Sequence, residues 1–419
     1  MTSEILILTP STVALAADSA VTVGGRKTYN GVNKLFMLSN DPPMGIMTYS
    51  LANFSYMPLE TIIKEFRNEI TDDLKSVSDF KNSFEEFLKK LLNKSEHTYS
   101  FQKILSKFVK DILEELENVD DATFESIVNN VATKSNHEDL KEYSKDIINK
   151  LNQNEKELMK LIPKSMHNDK QTEFLGNLKE FFIVKAFLEP YTGIVIAGFD
   201  EDRLFPSYIE FNITYLYDNK FILKTIEKQD IDGDIFEKLD IKRNQVHVRP
   251  LAQGDVINTF LSNMDDITRF KLINYVNNIY NNYSVNLKDA ISSNPALNDD
   301  EKQKFINEIS KIDMANDLLT NSFEDFLDQL KLEHAEPILE SIGSLPKEEL
   351  SNLAESLIKI TSLKRKVQSD LETVGGPVDV AIITKGDGFI WTKRKHYFDG
   401  GMNPQFFERK RKYIKYLEK

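Results

Sequence analysis

The sequence predicts an α+β fold in which sheets lie between layers of helix. Two observations carry this: strand-like and helix-like segments fall into separate blocks along the 419 residues, and the strand blocks recur on both sides of long stretches with helical period. Such blocks suggest packed sheets covered by helices rather than a parallel βαβ array. Residues 1–56 read as four strands, Ile5–Leu8, Val13–Ala17, Lys34–Leu38 and Met44–Tyr49, punctuated by Thr9-Pro10, Gly24-Gly25, Asn30-Gly31 and Pro42-Pro43. From Leu59 to about Leu188, segments such as "FQKILSKFVKDILEELENV" place apolar residues three and four apart, the mark of amphipathic helices. Strands return at Tyr191–Asp200, in "SYIEFNITYLYD" and in "KFILKTIE". A second helical block runs from Val256 to Lys366, and the last strands, "PVDVAIITKGDGFIWTKR", turn at Asp387-Gly388, a strong hairpin signal. This divides the chain into a discontinuous core (1–56, 190–255 and 367–398), helical insertions at 57–189 and 256–366, and a basic tail at 399–419.

Composition narrows the function classes. With 41% apolar and 28% charged residues the chain reads as a soluble globular protein. No stretch approaches the roughly 18 apolar residues of a membrane span, and the N-terminus lacks the basic region, apolar run and cleavage site of a secretory signal. A cytoplasmic location with no membrane contact is therefore expected. The absence of cysteine excludes disulfides, thiolate metal sites and a cysteine nucleophile. The six histidines are scattered, none three to five residues from another, so no metal or other cofactor is expected. A net charge of −13 argues against a chain-wide nucleic-acid surface. The tail, from Lys393 through "ERKRKYIKYLEK", reads as a solvated basic helix. "DIDGDIFEKLD" (Asp230–Asp240) has its Gly233 at the fourth rather than the sixth position, so it reads as a turn and not a calcium loop.

The chemistry concentrates at the start of the chain. Methionine is usually removed before a small residue, and removal of Met1 would leave Thr2 with a free α-amine beside its own hydroxyl, a nucleophile and a base on one residue. An α-amine has a reference pKa of about 7.7–8.0 and is mostly protonated at neutral pH. A neighbouring ammonium lowers that pKa, and an ammonium held in the interior needs a carboxylate partner. Asp18, ending "VALAAD", and Lys34, starting "KLFML", are candidates for the pair.

The positions of these three residues resemble the proteasome β-subunit family of N-terminal nucleophile (Ntn) hydrolases. In that family a Thr begins the chain, and an Asp and a Lys follow sixteen and thirty-two residues later, as Asp18 and Lys34 follow Thr2. "IVIAGFDEDRLFPSYIEF", "AQGDVINTFL" and "GGPVDVAIITKGDGF" extend the likeness through the strand-rich parts. The resemblance implies a four-layer αββα Ntn-hydrolase sandwich with two large helical insertions, a first strand central to its sheet, and a homo-oligomer. It implies an N-terminal threonine amidohydrolase or peptidase acting on a peptide or other amide substrate through a Thr2 acyl-enzyme. Ser50 stands where the family has a glycine whose N–H serves the oxyanion; the N–H survives, but glycine tolerates backbone angles that serine resists. Asp370 and Thr373 in "SDLETVGG" are the candidates for the family's supporting Asp and Ser. The alternative is a catalytically inactive, self-assembling scaffold that binds a protein partner through its helical insertions.

Overall fold

The computed structural model describes residues 2–23, 27–94, 99–134, 138–140, 142–231, 246–313, 316–367, 374–396, 398–399, 401–405 and 408. In chain order the first strands are β1 (Ser3–Thr9), β2 (Thr12–Ala17), β3 (Ala20–Val23), β4 (Lys27–Asn30), β5 (Leu35–Asn40), β6 (Pro43–Ser50), β7 (Asn53–Phe54) and β8 (Met57–Pro58). Helices α1 (Leu59–Glu69), α2 (Val77–Lys94), α3 (Phe101–Glu115), α4 (Asp121–Lys134), α5 (Ser144–Gln153), α6 (Glu155–Leu158) and α7 (Asn168–Ile183) follow. Next come β9 (Thr192–Phe199), β10 (Pro206–Tyr215), β11 (Phe221–Asp230) and β12 (His247–Ala252). The chain continues through α8 (Asp255–Ser262), α9 (Asp266–Ser292), α10 (Asp299–Asp313), α11 (Asn316–Gly343) and α12 (Lys347–Val367) to β13 (Asp379–Thr384) and β14 (Gly388–Lys393).

The strands form two five-stranded antiparallel sheets, ordered β12-β1-β2-β13-β14 and β11-β10-β9-β6-β5. All seven residues of β1 are buried, because both faces of the strand are covered. Leu6 and Leu8 point into the core between the sheets with Leu15, Val195 and Ala197, while Ile5 and Ile7 pack outward beneath Leu350, Ala354 and Leu357 of α12. Burying each aliphatic side chain contributes about 1.5–3 kcal/mol, against about 1–2 kcal/mol per residue for ordering backbone. Four in succession, Ile5 to Leu8, hold the start of the chain in place.

The second sheet is covered on its outer face by α1 and α2, whose Ile62, Phe66, Phe80 and Phe84 meet Phe36, Ile46, Ile196 and Phe211. The stretch from Leu59 to Leu188 is thus two structures. Helices α3 to α7 build a core of their own, with Phe101, Phe124, Leu151, Leu178 and Phe182, and close it on Leu216 and Tyr217 beyond the end of β10. The second helical stretch divides as well: α12, with Ile257 of α8 and Ile342 of α11, seals the first sheet. Much of α9 and α11 instead leaves large apolar side chains exposed, including Ile267, Phe270, Tyr275, Phe326 and Leu330.

Strands β3, β4, β12 and the two-residue β7 and β8 were not legible in the sequence. The polar excursion after Ala17 forms the β3–β4 hairpin, and "HVRPLA" forms β12, where Pro250 is tolerated because the strand lies at a sheet edge. Among the described residues no helix is long and apolar enough to cross a membrane.

Gly45 of β6 faces the first sheet, and an added Cβ there would lie 2.9–3.0 Å from side-chain carbons of Phe389, Ile383 and Leu15. Gly45→Ala is expected to destabilise the protein by about 1–3 kcal/mol through overpacking. Denaturant unfolding measures this, and an unchanged midpoint would show that the core yields there.

Candidate active site

Strand period places the first residues. Side chains two apart share a face, so Glu4 follows Leu6 and Leu8 into the gap between the sheets, and Thr2 lies at the same open end. Asp18, one residue past β2, sits opposite Ser3: Asp18 N–H donates to the Ser3 carbonyl at 3.1 Å, and Ser3 N–H donates to Asp18 Oδ1 at 3.2 Å. Lys34, one residue before β5, reaches across from the second sheet. The Thr2 carbonyl accepts the Gln253 N–H at 3.1 Å, which fixes the chain start against the end of β12.

These residues make one continuous polar chain. Thr2 Oγ1 donates to Glu4 Oε2 at 3.1 Å, Glu4 Oε1 faces Lys34 Nζ at 3.2 Å, and Lys34 Nζ donates to Asp18 Oδ1. Exposures of 3% for Thr2, 0% for Glu4, 1% for Asp18 and 4% for Lys34 remove every member from water, so each charge depends on its partners. Asp18 is the best supplied. Besides Lys34 it accepts backbone N–H groups from Ser3, from Ala20 at 3.3 Å and from Gly375 at 3.0 Å. Glu4 is less well supplied: burial pushes its pKa up to about 8, against the pull of Lys34 and with added repulsion from Asp18. One ammonium cannot neutralise two ionised carboxylates, and protonation of Glu4 relieves the surplus charge.

Thr2 and Ser50 line one cavity of about 300 Å³ together with Lys34, Tyr49 and Asn33. Ser50 adopts a φ of +68°, the left-handed region that suits glycine and costs other residues about 1–2 kcal/mol. Serine here therefore holds a glycine-like backbone. Tyr49 forms part of the wall. It lies across Gly193, where a Cβ would come within 2.1 Å of Tyr49 Cζ, and its hydroxyl donates to Glu210 Oε1 at 2.5 Å. Glu210 is held in turn by Arg249 Nε at 2.8 Å. Burial, with Glu210 adding to it, raises the pKa of the Tyr49 phenol, so it stays protonated.

Of the six residues singled out from the sequence, Asp18 and Lys34 are in direct contact, and Thr2 joins them through Glu4. Ser50 shares the Thr2 cavity. Asp370 and Thr373 lie outside the described residues, although the nearby Gly375 N–H reaches Asp18. Glu4 was missed. Its signal was the period-two pattern: a carboxylate two residues from Thr2, in a strand apolar from Ile5 to Leu8, had to lie on the Thr2 side of the sheet. Among the described residues no group of three or more Asp, Glu or His side chains could hold a metal ion.

No family model matches the chain, and no curated protein matches it. Among solved structures it is similar to Anbu (ancestral beta-subunit) from Yersinia bercovieri, with a TM-score of 0.35 and 9% identity over 99% of this chain and 94% of that one. It is also similar to the helical assembly of the Anbu complex from Pseudomonas aeruginosa, with a TM-score of 0.34 and 8% identity over 99% and 95% of the two chains. These neighbours are proteasome-like but distinct, and their low scores place the chain in no family. The assignment to the proteasome β-subunits implied by the Thr2, Asp18 and Lys34 intervals is overturned. The physical reason is that such intervals are local: the β1–β2 hairpin alone pairs Glu4 with Ala17 and so sets Asp18 beside Ser3.

Proposed function

We propose that the protein is an N-terminal threonine amide hydrolase that cleaves peptides through an acyl ester on Thr2. The observation that carries this is the buried relay from Thr2 Oγ1 through Glu4 and Lys34 to Asp18, opening on a cavity that also holds Ser50. We read the helix–sheet–sheet–helix layering around it as the four-layer αββα sandwich that supports such a site. Removal of Met1 frees the Thr2 amine. Thr2 Oγ1 then attacks the substrate carbonyl carbon, and its proton passes to the amine or to ionised Glu4. The N–H of Ser50 donates to the oxyanion. As the C–N bond breaks, the held proton moves to the leaving amine and an ester to Thr2 remains. Water, deprotonated by the same base, attacks that ester and restores the hydroxyl. Lys34 favours both the neutral amine and the ionised Glu4, and Asp18 fixes Lys34 in place.

A second reading is favoured by the exposed apolar side chains of α9 and α11, among them Phe270, Tyr275, Phe326 and Leu330. On this reading the sandwich is a self-assembling scaffold whose helices dock a protein partner. Intact-mass analysis before and after treatment with a β-lactone or boronate separates the two. Loss of Met1 together with a threonine adduct is the hydrolase outcome, and retained Met1 with no adduct is the scaffold outcome.

For the hydrolase, Thr2→Ala is expected to abolish peptide turnover and adduct formation, while Thr2→Ser keeps part of both. Glu4→Gln is expected to lower turnover about 10²-fold, the lower range for loss of a general base, and full activity in that variant would remove Glu4 from the mechanism. Fluorogenic peptide assays measure each.

The ionisation of Glu4 also predicts opposite pH trends for turnover and stability. Its pKa rises from 4.5 in the free carboxyl to about 8 in the fold, so between those values the native state holds more protons than the unfolded chain. Stability is therefore full below the lower value and falls as pH rises through the upper one. Turnover rises over the upper part of the same range as the base ionises. Thermal melts of wild type and Glu4→Gln across this range test the sign: the wild-type melting temperature should fall with pH, and the variant's should be flatter.

A further inference from the structure

A second cavity, of about 550 Å³, adjoins the first and shares Gly31, Asn33 and Glu60 with it. Its far wall is cationic, with Lys64 and Arg67 from α1 and Arg394 and Lys395 from the segment after β14. Two of these charges are already matched. Lys64 Nζ pairs with Glu60 Oε1 at 2.5 Å, and Lys395 Nζ pairs with Asp379. Arg67 and Arg394 have no carboxylate at ion-pair distance among the described residues. They are close enough to repel: burial lowers the pKa of Arg394 and Arg67 adds to that, while Asp379 and Glu60, the latter on the wall of the same cavity, oppose it. The Arg394 guanidinium lies over the Trp391 ring, 4.5 Å from its centroid, an attraction that favours this position of an otherwise exposed side chain at the cavity mouth.

We propose that this cavity binds an acidic side chain of the peptide whose carbonyl is presented to Thr2, with Arg67 and Arg394 as its carboxylate ligands. This rests on the amide-hydrolase reading of the Thr2 site. Two guanidiniums that line one space, with no ion-pair partner among the described residues, are relieved by an anion, and the planar fork of arginine matches a carboxylate with two parallel hydrogen bonds. The shared border at Gly31 and Asn33 puts that anion within a few residues of the scissile bond. A peptide reaching both cavities would therefore be chosen for Asp or Glu near the point of cleavage.

Trp391 is the only tryptophan in the chain, so its fluorescence reports on the cavity whether or not Thr2 is catalytic. The full-length Thr2→Ala protein, which holds peptide without turnover, is titrated with a short glutamate-containing peptide, with its glutamine counterpart, and with inorganic phosphate. The expected result is a saturable fluorescence change with the glutamate peptide and at least tenfold weaker binding of the glutamine one. Arg67→Gln, an exposed change that leaves Trp391 and its stacked partner untouched, should weaken the glutamate peptide at least tenfold. Circular dichroism confirms that this variant is folded. Equal binding of the two peptides, unchanged binding by Arg67→Gln, or phosphate binding as tightly as the glutamate peptide would each overturn the proposal. Selective glutamate binding by a protein that forms no threonine adduct would uphold this site while sinking the hydrolase reading, so the two fail separately.

Discussion

A single ammonium organises the N-terminal end of this molecule. Lys34 enters from the second sheet and, among the described residues, is neutralised by Asp18 and Glu4, both from the first. An unpaired ammonium in this interior would cost several kcal/mol, so the sheets are locked together at this corner. The pairing also dictates local geometry. Asp18 can meet Lys34 only if β1 and β2 keep their register, and Glu4 only if β1 keeps its face toward the gap. The apolar core between the sheets supplies most of the cohesion, yet it does not choose one sliding position over another as sharply as a charge with two fixed partners does.

A second polar cluster lies between the sheets, and its chemistry differs. Tyr49, Glu210, Arg249, Glu227, His247 and Tyr208 connect β6, β10, β11 and β12, with the Tyr208 hydroxyl 2.7 Å from His247 Nε2 and Arg249 Nε 3.3 Å from Glu227. Here arginine spans two carboxylates, and burial lowers the pKa of His247, which favours the neutral imidazole. Hydroxyl, imidazole and guanidinium share the load, so the cluster acts as a brace behind the Tyr49 wall of the cavity. The Lys34 group has one cation for two acids and leaves one acid poised to change its charge near neutral pH. Similar residue types thus give a rigid wall in one place and a titrating relay in the other.

The fold was legible where a segment is buried on both faces. Ile5 to Leu8, "VALAA" and "IVIAGF" stand out because nothing in them needs water, and each is a strand. Legibility fell at the edges. Strand β12 mixes His247, Arg249 and Pro250 because one of its sides has no neighbouring strand, so neither alternation nor an apolar run marks it. Helical period identified the two long helical stretches but could not say which helices would cover a sheet. Phe84 and Phe124 look alike in sequence; one seals the second sheet, while the other belongs to a separate helical core. At the site, Asp18 and Lys34 could be found by spacing. Glu4 was hidden by proximity, because a charged residue near a chain terminus ordinarily belongs to solvent.

The carboxylate of Asp18 is tied to a backbone amide 357 residues further along the chain, and β2 is flanked on one side by β13. During synthesis the first two strands leave the ribosome long before either partner exists. A nascent chain can form its opening hairpin but cannot complete the support beneath Lys34. Thr2 and β1 are thus made well before Gly375 and β13, and the hydrogen bonds around Asp18 are completed only once that later stretch has been synthesised.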